Sequence, residues 1–174
     1  MKEFVVLGLG SNRAWNGSEP VQLLKSACVQ LNSCLSSFRW SSVYRTKPMY
    51  VEKQDDFFNM VVCGYADSIE PKQFLDKIHS IEASLGRDRK SEVRNGPRSL
   101  DIDIELFGTR KLCSDILQIP HPRISERAFV LVPLLELLSQ ESDIIDIKHF
   151  ASALEKLSSS DVEKIISAEN FIVG

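Results

Sequence analysis

The chain has 174 residues, 43% hydrophobic and 26% charged, with a formal net charge of -3, enough for one domain with a real core. That mildly acidic balance excludes a general nucleic-acid binder, and no apolar run is long enough to span a membrane. Cys28, Cys34, Cys63 and Cys113 form no C-x-x-C pair, so reduced thiols and a cytoplasmic location are expected.

Taken in chain order, Phe4–Leu9 reads as a buried strand, too short for a signal peptide, followed by a loop from Gly10 to Glu19. Val21, Leu24, Cys28, Leu31 and Leu35 recur at helical spacing and predict an amphipathic helix over about 20–36. Residues 39–46 and 57–65 read as strands. Phe74, Ile78, Ile81 and Leu85 mark a second helix, with Pro71 in its first turn and Gly86 as its stop. A strand follows from Leu100 to Phe107. The order strand-helix-strand-strand-helix-strand predicts an α+β fold with a ferredoxin-like βαββαβ core. A helical region is expected over 125–138 and Pro133 should interrupt it. Phe150–Leu157 reads as a helix and Val162–Ile166 as an added strand. The whole of 1–174 is read as one domain, and the tail from about 140 receives no chemistry.

The most informative segment runs from Gly96 to Gly108. Strand alternation puts Leu100, Ile102, Ile104 and Leu106 on one face and Asp101, Asp103 and Glu105 on the other. Same-face neighbours on a strand sit roughly 6–7 Å apart, where two carboxylates repel by about 2–3 kcal/mol at an effective dielectric near 20. A divalent cation offsets such a cost, and magnesium takes one or two carboxylates while leaving room for phosphate oxygens. The alternative is a solvated strand edge. Just upstream, Arg87 to Arg98 carries five cations against two acids. Arginine forks neutralise phosphate oxygens well; the alternative is a solvated charged loop, with Asp88 and Glu92 as ordinary partners. Gly8-x-Gly10 lacks the third glycine of a dinucleotide fingerprint and no Walker A loop occurs. His79, His121 and His149 lack metal-ligand spacing, and only His121, between Pro120 and Pro122, stands out.

Gly96-Pro97-Arg98-x-Leu100-Asp101-x-Asp103-Ile104 resembles the signature of the 6-hydroxymethyl-7,8-dihydropterin pyrophosphokinase family. The resemblance spans roughly residues 4–138 in the family's order. It includes Gly8-Leu9-Gly10-Ser11-Asn12, Ser41 to Pro48, Phe57 to Val62, Gly86-Arg87-x-Arg89-Lys90, Pro120-His121-Pro122-Arg123 and Arg127 to Leu134. It implies transfer of the pyrophosphoryl group of ATP to the hydroxymethyl of a reduced pterin in folate biosynthesis, releasing AMP. It further implies two magnesium ions on Asp101 and Asp103, with Arg87 and Arg98 stabilising charge at the reacting phosphates. Arg89, Lys90, His121 and Arg127 would bind ATP, with Glu82 and His79 on the helix beside it. Phe57 and Phe129 would sandwich the pterin ring while Asn59 and Thr46 read its edge. ATP and the reduced hydroxymethyl pterin are the expected partners, with no nucleic acid or membrane, and a monomer is expected rather than an oligomer. The chain departs from the family at Asn95, where a Trp is frequent, at Pro122, where an aromatic is common, and at His79, a frequent Gln. The alternatives are a ferredoxin-like small-anion binding module and another magnesium-dependent nucleotidyl transferase or hydrolase.

Overall fold

A computed structural model describes residues 2–49, 53–93, 96–138 and 146–173. The elements in order are β1 (Lys2–Ser11), α1 (Pro20–Asn32), β2 (Ser36–Trp40), β3 (Val43–Thr46), β4 (Phe57–Asp67), α2 (Pro71–Ser84), β5 (Asp101–Phe107), β6 (Leu112–Cys113), β7 (Gln118–Ile119), a single 3-10 turn (Ile124–Glu126), α3 (Ala128–Leu138), α4 (Ile147–Glu155) and β8 (Val162–Ile166).

The main sheet has the order β5-β1-β4-β3-β8, with β2 also on β4, and its pairs are antiparallel. The first four strands of that order are the split βαβ arrangement, so the fold is ferredoxin-like α+β. Helices α1 and α2 cover one sheet face, burying Leu23, Leu24, Leu31, Phe74 and Ile78 against Val5, Leu7, Met60, Ile102 and Ile104. Helices α3 and α4 cover part of the other face, where Leu131, Leu134 and Phe150 pack on Phe4, Val6, Val61 and Leu106. Beyond the N-terminal end of α3 that second face is open, and the cleft described below lies there.

Local chemistry sets the helix ends. Pro20 occupies the first turn of α1, and Gln22 accepts the Glu19 backbone N–H at 2.8 Å, a capping box. Helix α2 begins at Pro71 and its chain leaves through Gly86 at φ +88°, where a Cβ would lie 2.2 Å from the Trp15 ring.

Four expectations need correction. The first helix stops at Asn32 rather than near 36, because Ser33 folds back onto the Gln30 carbonyl at 2.6 Å and β2 starts at Ser36. The strand expected over 39–46 is two strands. Between them the Ser41 hydroxyl accepts the Val61 N–H at 3.0 Å and the Ser42 N–H goes to the Glu136 carboxylate at 3.1 Å, so the side chains of Ser41 and Glu136 replace ladder bonds. Pro133 does not interrupt α3; the cost of one missing N–H is outweighed by the buried Val130, Leu131, Leu134 and Leu138 around it. Finally, Leu106 is not on the face of Ile102 and Ile104. The β1–β5 register shifts between Val6 and Leu7. The extra residue on β5 turns Leu106 to the second core, beside Val6.

The tail expectations find a place. The described part of the C-terminal segment includes α4, and β8 pairs with the edge of β3. Glu136 on α3 ties this corner together, accepting from the Ser42 hydroxyl at 2.6 Å, Tyr44 at 2.8 Å and Lys164 at 3.0 Å. Trp40 also donates to the Ala168 carbonyl at 3.1 Å.

Candidate active site

The floor of the cleft is β1. Gly8 pairs with Asp103 on one side and Val61 on the other; Gly10 pairs with Asp101 and Asn59. With no side chain at either glycine, the carboxylates of β5 and the amide of β4 face each other across a trough. Nothing larger fits there: a Cβ at Gly10 would come within 2.9 Å of Asn59 Oδ1, and one at Gly8 within 3.0 Å of Glu105 Oε1. The cleft is open to solvent, with a cavity volume of about 90 Å³. Thr46, Phe57, Asn59, Arg98, Asp101, Asp103, Arg127 and Phe129 all line it. Met49, Gln54 and Glu105 line it as well.

At its aromatic end, Asn59 Nδ2 donates to Thr46 Oγ1 at 2.7 Å, which fixes the amide. Phe57 and Phe129 present aromatic faces, each with a guanidinium near it: Arg98 at 5.5 Å and Arg127 at 5.7 Å from the ring centroids. Phe58 points away and packs against the α1–α2 core.

At the charged end, arginines sit on the carboxylates. Arg98 donates to Asp101 at 2.6 Å, Arg87 lies 3.3 Å from Asp101, and Arg127 donates to Asp103 at 2.9 Å. Burial and the neighbouring Asp103 raise the Asp101 pKa, against the pull of Arg98, Arg87 and Arg89. Glu105 is fully buried and pushed up to about 8, by burial first and Asp103 second. Burial also lowers the His121 pKa, with Asp103 opposing. Its Nδ1 accepts the Arg123 N–H at 3.1 Å. Two adjacent carboxylates in an open cleft are a donor set for a hard divalent cation that brings water and phosphate oxygens with it. Among the described residues no cluster of three or more His, Cys, Asp or Glu side chains has metal-holding geometry.

The arginine loop is braced from below. Glu82 is 0% exposed. Its carboxylate accepts the Ile102 N–H at 2.8 Å and two Arg89 nitrogens at 2.7–2.9 Å. The same group is raised to about 7, chiefly by burial, with Arg89 opposing. Glu92 holds Arg13 at 2.6 Å and Arg87 at 2.7 Å, so the loop after β1 and the arginine loop are joined.

The expected site residues thus separate into groups. The eight lining residues named above converge on one cleft, and Arg87 and Arg89 reach its Asp101 from outside, Arg89 at 4.0 Å. Glu82 lies beneath the surface, and His121 borders Glu105 at 4.0 Å. His79, whose pKa is lowered by burial and by Arg89, and the exposed Lys90 do not line the cleft. Arg94 and Asn95 fall outside the described residues. Sequence reasoning assigned no role to Glu105, to Gly8 and Gly10 as the trough floor, or to the Arg13–Glu92 link. The third acid at two-residue spacing was the available signal for Glu105. Nothing in the pattern signalled Gln54, which accepts from Asn12 at 3.1 Å.

Comparison with known proteins follows the same lines. Residues 6–139 match the family described as 7,8-dihydro-6-hydroxymethylpterin-pyrophosphokinase. A Bacillus subtilis protein, 2-amino-4-hydroxy-6-hydroxymethyldihydropteridine pyrophosphokinase, is 38% identical over 141 residues, covering 80% of this chain and 81% of that one. The mitochondrial folate synthesis bifunctional protein of Arabidopsis thaliana is 39% identical over 153 residues, 85% of this chain. The chain spans only 26% of that relative's length. Among solved structures, Plasmodium falciparum HPPK-DHPS matches with a TM-score of 0.64 at 17% identity, over 95% of this chain and 45% of that one, a likeness of fold. A family match over most of the chain, joined to the cleft that its signature residues build, leads to one statement: the chain belongs to the 7,8-dihydro-6-hydroxymethylpterin-pyrophosphokinase family.

Proposed function

We propose that the chain transfers the pyrophosphoryl group of ATP to the hydroxymethyl oxygen of 6-hydroxymethyl-7,8-dihydropterin, releasing AMP, as a step of folate biosynthesis. One observation carries this reading. Asp101, the side-chain-free Gly10 and Asn59 lie in register across three strands, so a polyphosphate end and a flat polar ring end meet within one cleft.

In this reaction the alcohol oxygen forms a bond to the β-phosphorus while the bond from that phosphorus to the α-bridging oxygen breaks. AMP departs with the electron pair and the hydroxyl proton is released. Such a transfer depends on alignment and charge neutralisation more than on covalent help. Asp101 and Asp103 would hold magnesium, two ions by family resemblance, which supplies charge neutralisation and orientation of the polyphosphate. Arg98, Arg87 and Arg127, paired with these aspartates in the free protein, exchange carboxylate for phosphate partners when the nucleotide enters. No new charge has to be buried for that exchange, because each guanidinium already sits at the cleft wall. Glu82 acts as a positioning residue that fixes Arg89 to β5, rather than as a nucleotide contact. His121, whose Nδ1 accepts the Arg123 N–H, offers its other nitrogen as a donor to phosphate. Lys90 reaches the nucleotide only if the loop closes. Phe57 and Phe129 stack the pterin; Asn59, braced by Thr46, reads its amide edge.

Among the described residues no helix is long and apolar enough to cross a membrane. Incubation with ATP, magnesium and the reduced hydroxymethyl pterin tests the proposal. AMP forms only when the pterin is present. ADP in its place would mean ordinary phosphoryl transfer, and nucleotide binding without turnover would mean a binding module.

A further inference from the structure

We propose that Glu105 is a positioning residue for Arg127, the second seat to which its guanidinium passes when Asp103 is taken by a metal-bound nucleotide. This rests on the pyrophosphokinase reading above. Glu105 is fully buried and neither of its carboxyl oxygens has a hydrogen-bond partner; Arg127 Nε is also buried and unpartnered. Buried groups of this kind are nearly always satisfied, so two of opposite type in one pocket call for an explanation. Their separation supplies it. Arg127 Nη1 lies 2.9 Å from Asp103 Oδ2 and 3.9 Å from Glu105 Oε1. The guanidinium is held one step short of Glu105 by its bond to Asp103.

The neighbours do not offer Glu105 anything better. His121 Nδ1 is 4.0 Å from Oε2 and already accepts the Arg123 N–H, so it has no proton to give. The His121 backbone N–H goes to the Glu105 carbonyl, not its side chain. Gly8 keeps the space beside Oε1 clear, since a Cβ there would stand 3.0 Å away. The guanidinium has five N–H donors in a planar fork. It can therefore turn some toward Glu105 while others face a phosphate. With Asp103 occupied, that turn satisfies both orphaned groups and keeps Arg127 from competing for the metal's carboxylate.

Magnesium titrations of the binding of a non-hydrolysable ATP analogue, followed by calorimetry, test this without turnover. Glu105→Leu should raise the magnesium needed for half-saturation roughly tenfold, because Arg127 then has no seat but Asp103. Glu105→Gln, close in shape and keeping one acceptor oxygen, should fall between the two. In an Arg127→Gln background the Glu105→Leu shift should vanish. Coincident magnesium curves for the unaltered chain and the Gln and Leu variants would overturn the inference. So would a shift that persists without Arg127, which would mark a general charge effect. Metal-dependent binding in the unaltered chain with unshifted variants leaves the pyrophosphokinase reading standing and removes the role of Glu105 alone. Absence of metal-dependent binding in the unaltered chain removes both.

Discussion

Replacing Asn59 by alanine separates recognition of the ring from handling of the polyphosphate. The Asn59 side chain is 6% exposed and gives one N–H to Thr46 at 2.7 Å. An amide carries two donors and an acceptor oxygen, so one N–H and the oxygen are left for a ligand. Truncation strands the ligand's matching polar group in a dry pocket, at a cost of about 1–3 kcal/mol, or about 5- to 150-fold in pterin affinity. Gly10→Ala reaches the same amide by another route. The new Cβ would stand 2.9 Å from Asn59 Oδ1 and 3.9 Å from Phe57, so the amide must rotate out of its bond to Thr46. It should weaken pterin binding in the same direction while leaving Asn59 in the chain. The assay is a calorimetric titration of the reduced pterin in the presence of a non-hydrolysable ATP analogue, with analogue binding alone as control. Asn59→Ala protein that binds pterin with unaltered affinity would refute the assignment, and the stacking roles of Phe57 and Phe129 would go with it.

Other substitutions address the charged end and the tail. Asp101→Asn and Asp103→Asn should each lower turnover by roughly a hundredfold or more with the circular dichroism spectrum retained; near-normal rates at limiting magnesium would contradict the metal assignment. Arg87→Ala and Arg98→Ala should lower kcat much further than they weaken ATP affinity, as expected of groups whose contacts strengthen in the transition state. A loss confined to affinity would make them anchors only. Glu136 accepts from Ser42, Tyr44 and Lys164, and these bonds hold its pKa below the usual 4.5 despite burial. A depressed folded-state pKa contributes stability above pH 4.5 that is lost as pH falls through the folded value. The melting temperature should therefore drop on acidification below about pH 4.5, and the Glu136→Gln variant should show a smaller drop over the same window. Equal slopes in the two proteins would exclude Glu136 as a contributor.

Strand alternation was enough to put Asp101 and Asp103 on one face, and the punctuation at Pro71 and Gly86 was enough to bound α2. Both are local signals of a period or a single residue's backbone preference. What was not legible depends on partners distant in the chain. The shift that turns Leu106 to the other core arises in the pairing of β5 with β1, and no pattern within β5 alone encodes it. The break at Ser41 and Ser42 depends on Val61 and on Glu136, 94 residues away from Ser42. Charge partners outside the loop were not legible either, although Glu92 was legible as a partner within it. The composition of the loop after Gly86 suggested arginines ready for phosphate, whereas in the free protein Arg87 lies against Asp101 and Glu92, Arg98 against Asp101 and Arg89 against Glu82. The tail was read as helix and strand, but only the pairing of β8 with β3 shows that it covers the sheet edge next to Thr46.

The central claim is that the β-phosphorus, not the γ-phosphorus, is the atom attacked. ATP labelled with ³²P at the β position tests it in one reaction with magnesium and the reduced hydroxymethyl pterin. The account predicts that the label moves to the pterin product while the nucleotide left behind is unlabelled AMP. Label retained in ADP, with the pterin product unlabelled, would contradict it.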